Sequence, residues 1–93
     1  MELAPSDYEK LTEFGAAFMS ITDSALLLQV DADGLRDEIE NPHSEAHLSY
    51  HSGRLQSIYD LNKSIVDEAK VGNPNAQLMA IELLKASSMK NLR

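Results

Sequence analysis

The sequence predicts an all-α chain: short N-terminal helices containing a helix-turn-helix-like unit, followed by a long antiparallel helical hairpin. Three observations carry that prediction. Apolar residues recur at helical spacing from Tyr8 to Leu84, with no alternating strand pattern. Two Asn-Pro pairs, Asn41-Pro42 and Asn73-Pro74, stand where helices would begin, because Asn can cap free backbone N–H groups and proline suits the first helical position. Gly72, just before the second pair, offers the left-handed residue that ends a helix. The expected organisation is residues 1–41 as the N-terminal helix plus helix-turn-helix-like unit and residues 42–93 as the hairpin, within one compact chain.

The first helix is expected from Ser6-Asp7-Tyr8-Glu9, which reads as a capping box, with Pro5 just outside it. Tyr8, Leu11, Phe14 and Ala17 or Phe18 then form the buried side. Gly15 inside this helix weakens it by about 1 kcal/mol relative to alanine, unless a second backbone comes close there. Ser20 or Thr22 caps a second helix carrying Ile21, Ala25, Leu27 and Leu28, and Asp31 caps a third with Leu35 and Ile39 one turn apart. Two short helices and a tight turn make a helix-turn-helix pattern, with Ala25, Val30 and Leu35 as its core.

A long helix is expected from Asn41-Pro42. Leu48, Leu55, Asn62 and Ala69 recur every seven residues, with His51, Ile58, Ile65 and Gly72 offset by three, which is the seam of helices packing nearly parallel. Tyr50, Leu61 and Val66 lie off that seam, so this arm needs more than one neighbour. The returning helix, about residues 75–90, carries Ala76, Met79, Ala80, Leu83 and Ser87 on one stripe, with Leu78, Ile81 and Leu84 filling much of the rest. Burial on two sides follows, in a hairpin that also lines a subunit interface. Leu48, Leu55, Ile58, Asn62 and Ile65 on the first arm and Met79 and Leu83 on the second are the candidate interface residues. Asn62 on the seam would fix register and subunit number.

Composition narrows the function classes. A chain of 93 residues buries a modest fraction of its surface, so partner chains would add stability. The absence of cysteine excludes disulfides and thiolate metal sites. No run approaches the roughly 18 apolar residues of a membrane span, and the start lacks the basic flank of a signal peptide, so a soluble, cytoplasmic protein is expected. Fifteen acidic against eight basic residues give a net charge of −7, which opposes broad electrostatic attachment to nucleic acid and leaves only a local patch for it.

The order of helix-turn-helix, short Asn-Pro connection, Ala46…Tyr50…Gly53-Arg54, Ile65…Ala69-Lys70…Gly72-Asn73 and Ala76 leading an apolar helix to Leu84 resembles the small subunits of phage terminases. The resemblance spans roughly residues 20–85. It implies a non-catalytic, ring-forming DNA-packaging protein in the host cytoplasm, whose helix-turn-helix contacts viral DNA and whose hairpin assembles the ring. It also implies a partner, the large motor and nuclease subunit. Arg36 then takes the DNA-reading position on the third helix, and Arg54, Lys63 and Lys70 form a basic stripe along the long arm. The third helix also carries Asp33, Asp37, Glu38 and Glu40. That acidity favours an alternative reading: an oligomeric adaptor that docks a protein partner and binds no DNA.

Catalytic chemistry is not expected. Glu38, Glu40, Glu45 and Asp37 lack a nearby nucleophile or phosphate loop and read as a solvated acidic face. His43, His47 and His51, four residues apart, would share one helical face and are weak candidates for a metal ion or for a pH-sensitive interface. No cofactor is expected.

Overall fold

The structure is a computed structural model that describes residues 1–91. Five α-helices follow one another, α1 (Pro5–Ala16), α2 (Ile21–Leu28), α3 (Ala32–Glu40), α4 (Glu45–Lys70) and α5 (Pro74–Asn91), and no strand occurs among the described residues. The chain divides into two compact units, residues 1–57 and the residues from Ile58 onward. The first unit thus runs past the expected boundary at residue 41, because Ala46, Tyr50 and Gly53 of α4 are buried with the N-terminal helices.

Two helix starts differ from expectation. Pro5 is the first residue of α1 rather than a residue outside it, since its fixed φ and missing N–H suit that position. The Asp7 carboxylate, three residues on from Ala4, accepts the Ala4 N–H at 2.9 Å, so the Ser6–Glu9 box is not used. Asn41-Pro42 does not open α4. The Asn41 N–H still closes α3 on Asp37, and its side chain accepts from the His43 N–H at 3.0 Å, which makes a turn. Ser44 caps α4 instead, its Oγ accepting from His47 N–H at 3.0 Å. At Asn73 the expected cap forms: Oδ1 accepts from Asn75 and Ala76 N–H groups at 3.0 and 3.1 Å.

Three helices end in the same way. After α1, α2 and α4, residues Phe18 (φ 58°), Gln29 (φ 60°) and Gly72 (φ 99°) turn left-handed. In each, the following N–H reaches back five residues: Met19 to Phe14 O, Val30 to Ala25 O and Asn73 to Glu68 O, at 2.9 to 3.2 Å. These paired bonds satisfy carbonyls that a helix end would leave open. Two of the three positions are therefore held by residues with a Cβ.

The core of residues 1–57 consists of Leu11, Ala25, Leu35, Ile39, Ala46 and Tyr50, with Val30, Phe14 and Ile21 packed against it. Helix α1 crosses α4 through Gly15 and Gly53. A Cβ on Gly15 would lie 2.0 Å from the Tyr50 carbonyl oxygen, and one on Gly53 would lie 2.0 Å from the Thr12 carbonyl oxygen. Only glycine permits backbones to approach so closely. The Ser57 hydroxyl donates to Ala16 O at 2.6 Å and the Tyr50 hydroxyl donates to Met19 O, tying the end of α1 to α4.

Candidate assembly and docking surfaces

From Ile58 onward, α4 and α5 form the antiparallel hairpin, turned at Val71-Gly72-Asn73. Gln77 Nε2 donates to Ala69 O at 3.1 Å across the turn. Of the described side chains in this unit only Ala76 is buried. Ile58, Asn62, Ile65, Ala80 and Leu83 are half-buried, whereas Tyr59, Leu61, Val66, Leu78, Met79, Ile81 and Leu84 are exposed. A two-helix hairpin has only one inner face, so the second apolar face of each arm meets water.

The expected interface residues thus separate into two groups. Ile58, Asn62, Ile65 and Leu83 are partly taken up in the hairpin's own packing. Leu48, Leu55 and Met79 are exposed, the first two on the part of α4 that belongs to residues 1–57. Tyr59 escaped the sequence reading because the seven-residue count places it beside Ile58, one step off the seam. It lines an open groove of about 520 Å³ with Asn62, Val66, Ala80, Leu83 and Leu84. Lys63, Asp67 and Lys70 also border that groove, and Lys63 pairs with Asp67 at 3.0 Å.

Charge is unevenly distributed. Residues 1–57 hold eleven acidic and three basic side chains, and residues 58–93 hold four acidic and five basic. Arg36, the expected DNA-reading residue, is turned onto its own surroundings: it donates to Thr22 Oγ1 at 3.1 Å and lies 3.5 Å from the Asp33 carboxylate. Arg54 stacks over the Phe18 ring, 5.7 Å from its centroid. Lys63 and Lys70 stand exposed on α4. The four cations do not converge on one recognition helix: Arg36 and Arg54 lie within residues 1–57, Lys63 and Lys70 in the hairpin.

Nor do the three histidines share one helical face. His43 sits in the turn before Ser44, outside α4, because Ser44 rather than Asn41 caps the helix. His47 and His51 remain as a pair with ring centroids 4.5 Å apart. His47 Nδ1 lies 2.7 Å from Ile39 O, which fixes Nδ1 as the protonated nitrogen. His51 is held below its ordinary value by burial first, then by His47 and Arg54. The Tyr8 phenol is held above its ordinary value by burial first, then by Glu45, Glu38 and Asp7. Among the described residues no group of three His, Asp or Glu side chains gathers to hold a metal ion, and no helix is long and apolar enough to cross a membrane.

No family model, curated protein or solved structure matches the chain.

Proposed function

We propose that this chain is a non-catalytic, self-assembling adaptor of the terminase small-subunit kind. The α4–α5 hairpin builds the oligomer, and the oligomer brings DNA to a larger motor subunit. The observation that carries the assembly half is the hairpin's apolar surface: an 18-residue helix, α5, with Leu78, Met79, Ile81 and Leu84 all exposed. Large exposed apolar surface of this kind marks an interaction site. The order of a helix-turn-helix-like unit and a hairpin supports the packaging half. DNA contact then rests on Arg54 and Lys70, because Arg36 and Lys63 each already lie against an aspartate.

A second reading, a protein-docking adaptor that binds no DNA, is favoured by one observation. The unit carrying the helix-turn-helix has eleven acids and three bases, and its one basic residue on α3 is already engaged. Native mass and duplex binding separate the two. Packaging requires an oligomer whose affinity for duplex DNA falls at least about tenfold between roughly 50 and 200 mM salt, as two phosphate contacts already dictate. Lys70→Ala and Arg54→Ala should weaken it further. An intact oligomer without salt-dependent binding would leave the docking adaptor as the function.

A further inference from the structure

We propose that the groove between α4 and α5 of one copy receives the Leu26–Leu27 ridge of α2 from a second copy, so that copies join head to tail. This rests on the self-assembly half of the proposed function and not on DNA attachment. Leu26 and Leu27 are 77% and 57% exposed, although the adjoining Ser24 and Ala25 are fully buried. The buried pair fixes the α2 backbone against its own core, so the two leucines project from a rigid base. Ser24 is held there by its hydroxyl, which donates to Ser20 O at 2.8 Å.

The ridge and the groove complement each other in polarity and in charge. Asp23 lies one turn before both leucines and Asp31 follows the end of α2, so acidic side chains border an apolar centre. The groove is lined by Tyr59, Val66, Leu83 and Leu84 together with Lys63, Asp67 and Lys70, two cations against one carboxylate, with Lys63 and Asp67 paired at 3.0 Å. The ridge belongs to a strongly acidic unit, with eleven acids against three bases in residues 1–57, whereas residues 58–91 balance four acids with four bases. A two-fold contact between two grooves would leave Leu26 and Leu27 in water. Joining ridge to groove uses two different surfaces of each copy, and such a contact propagates until a rotation closes it into a ring. Electrostatic complementarity of this sort fixes register and suppresses wrong pairings.

Complementation of two blocked variants tests the proposal. Leu26→Asp destroys the ridge and leaves the groove, and Leu84→Asp destroys the groove and leaves the ridge. Both side chains are largely exposed, so helicity by circular dichroism should match the parent chain. Each variant alone should run as a monomer in light scattering. An equimolar mixture should give twice the monomer mass, because one intact ridge meets one intact groove. If Leu84→Asp fails to fold, the Lys63→Glu, Lys70→Glu double variant takes its place and should also complement Leu26→Asp. A parent-like oligomer from Leu26→Asp, or a mixture that stays monomeric, would overturn the head-to-tail contact while leaving self-assembly standing. A parent chain that is itself monomeric would sink both.

Discussion

Replacing Gly53 by alanine sets two effects of opposite sign against each other at one atom. In a helix interior the substitution stabilises by about 1 kcal/mol through backbone entropy. Against this, the new Cβ would lie 2.0 Å from the Thr12 carbonyl oxygen, an atom of the α1 backbone that cannot rotate aside. The helices must part by about 1 Å to relieve so short a contact, and overpacking of this kind costs roughly 1 to 3 kcal/mol. Parting also stretches the Ser57–Ala16 and Tyr50–Met19 hydrogen bonds, each contributing about 1 kcal/mol. The net expectation is a loss of roughly 2 to 3 kcal/mol, a large share of the stability of a small domain. Urea unfolding followed by circular dichroism, at fixed protein concentration, should show the midpoint lowered by about 2 M for a slope near 1 kcal/mol/M. Gly15→Ala should behave alike, because its Cβ meets Tyr50 O at the same distance. An unchanged or raised midpoint for Gly53→Ala would mean that helix propensity wins and that α1 and α4 do not cross this closely.

Two further perturbations test separate features. Gln29→Gly should stabilise by roughly 0.5 to 1 kcal/mol, since φ 60° strains a residue with a Cβ and does not strain glycine; thermal melting reads it, and a lowered melting temperature would contradict the left-handed assignment. His51 has its folded-state value held below 6.5. As pH falls beneath 6.5 the unfolded chain takes up a proton that the folded chain resists, so stability declines through that window and is flat above it. His51→Gln should flatten the decline in melting temperature between about pH 7 and 5, and an unaltered slope would show that other groups govern it.

Much of the fold was legible because its signals are local. The left-handed glycine at Gly72 with Asn73-Pro74 behind it, the Asp31 cap and the Ala25–Leu35 pair each depend on a few neighbouring residues. The first Asn-Pro pair misled for a reason equally local: Asn41 was already closing α3, so its side chain made a turn and Ser44 became the cap. What no local pattern could supply was the partner of Gly15. A glycine within a helix costs the same whether or not a second backbone lies against it, and Gly53 is thirty-eight residues away in sequence. Arg36 shows the same limit at the candidate site, for its place on α3 was readable but its engagement by Thr22 and Asp33 was not.

Under the proposed self-assembly, the hairpin would link folding to assembly. An isolated helix of 18 residues is only marginally stable in water, and helices in proteins draw most of their stability from packing. Helix α5 gains little of it within its own chain, because Ala76 is its only buried residue among those described. Its apolar side chains surround it too evenly for one neighbour to cover. On the proposed self-assembly, the residues that make the helix sticky are the ones a second copy would cover. Occupying the groove would stabilise α5 and close the subunit contact in a single step, by the mass-action linkage through which any partner stabilises the state it binds.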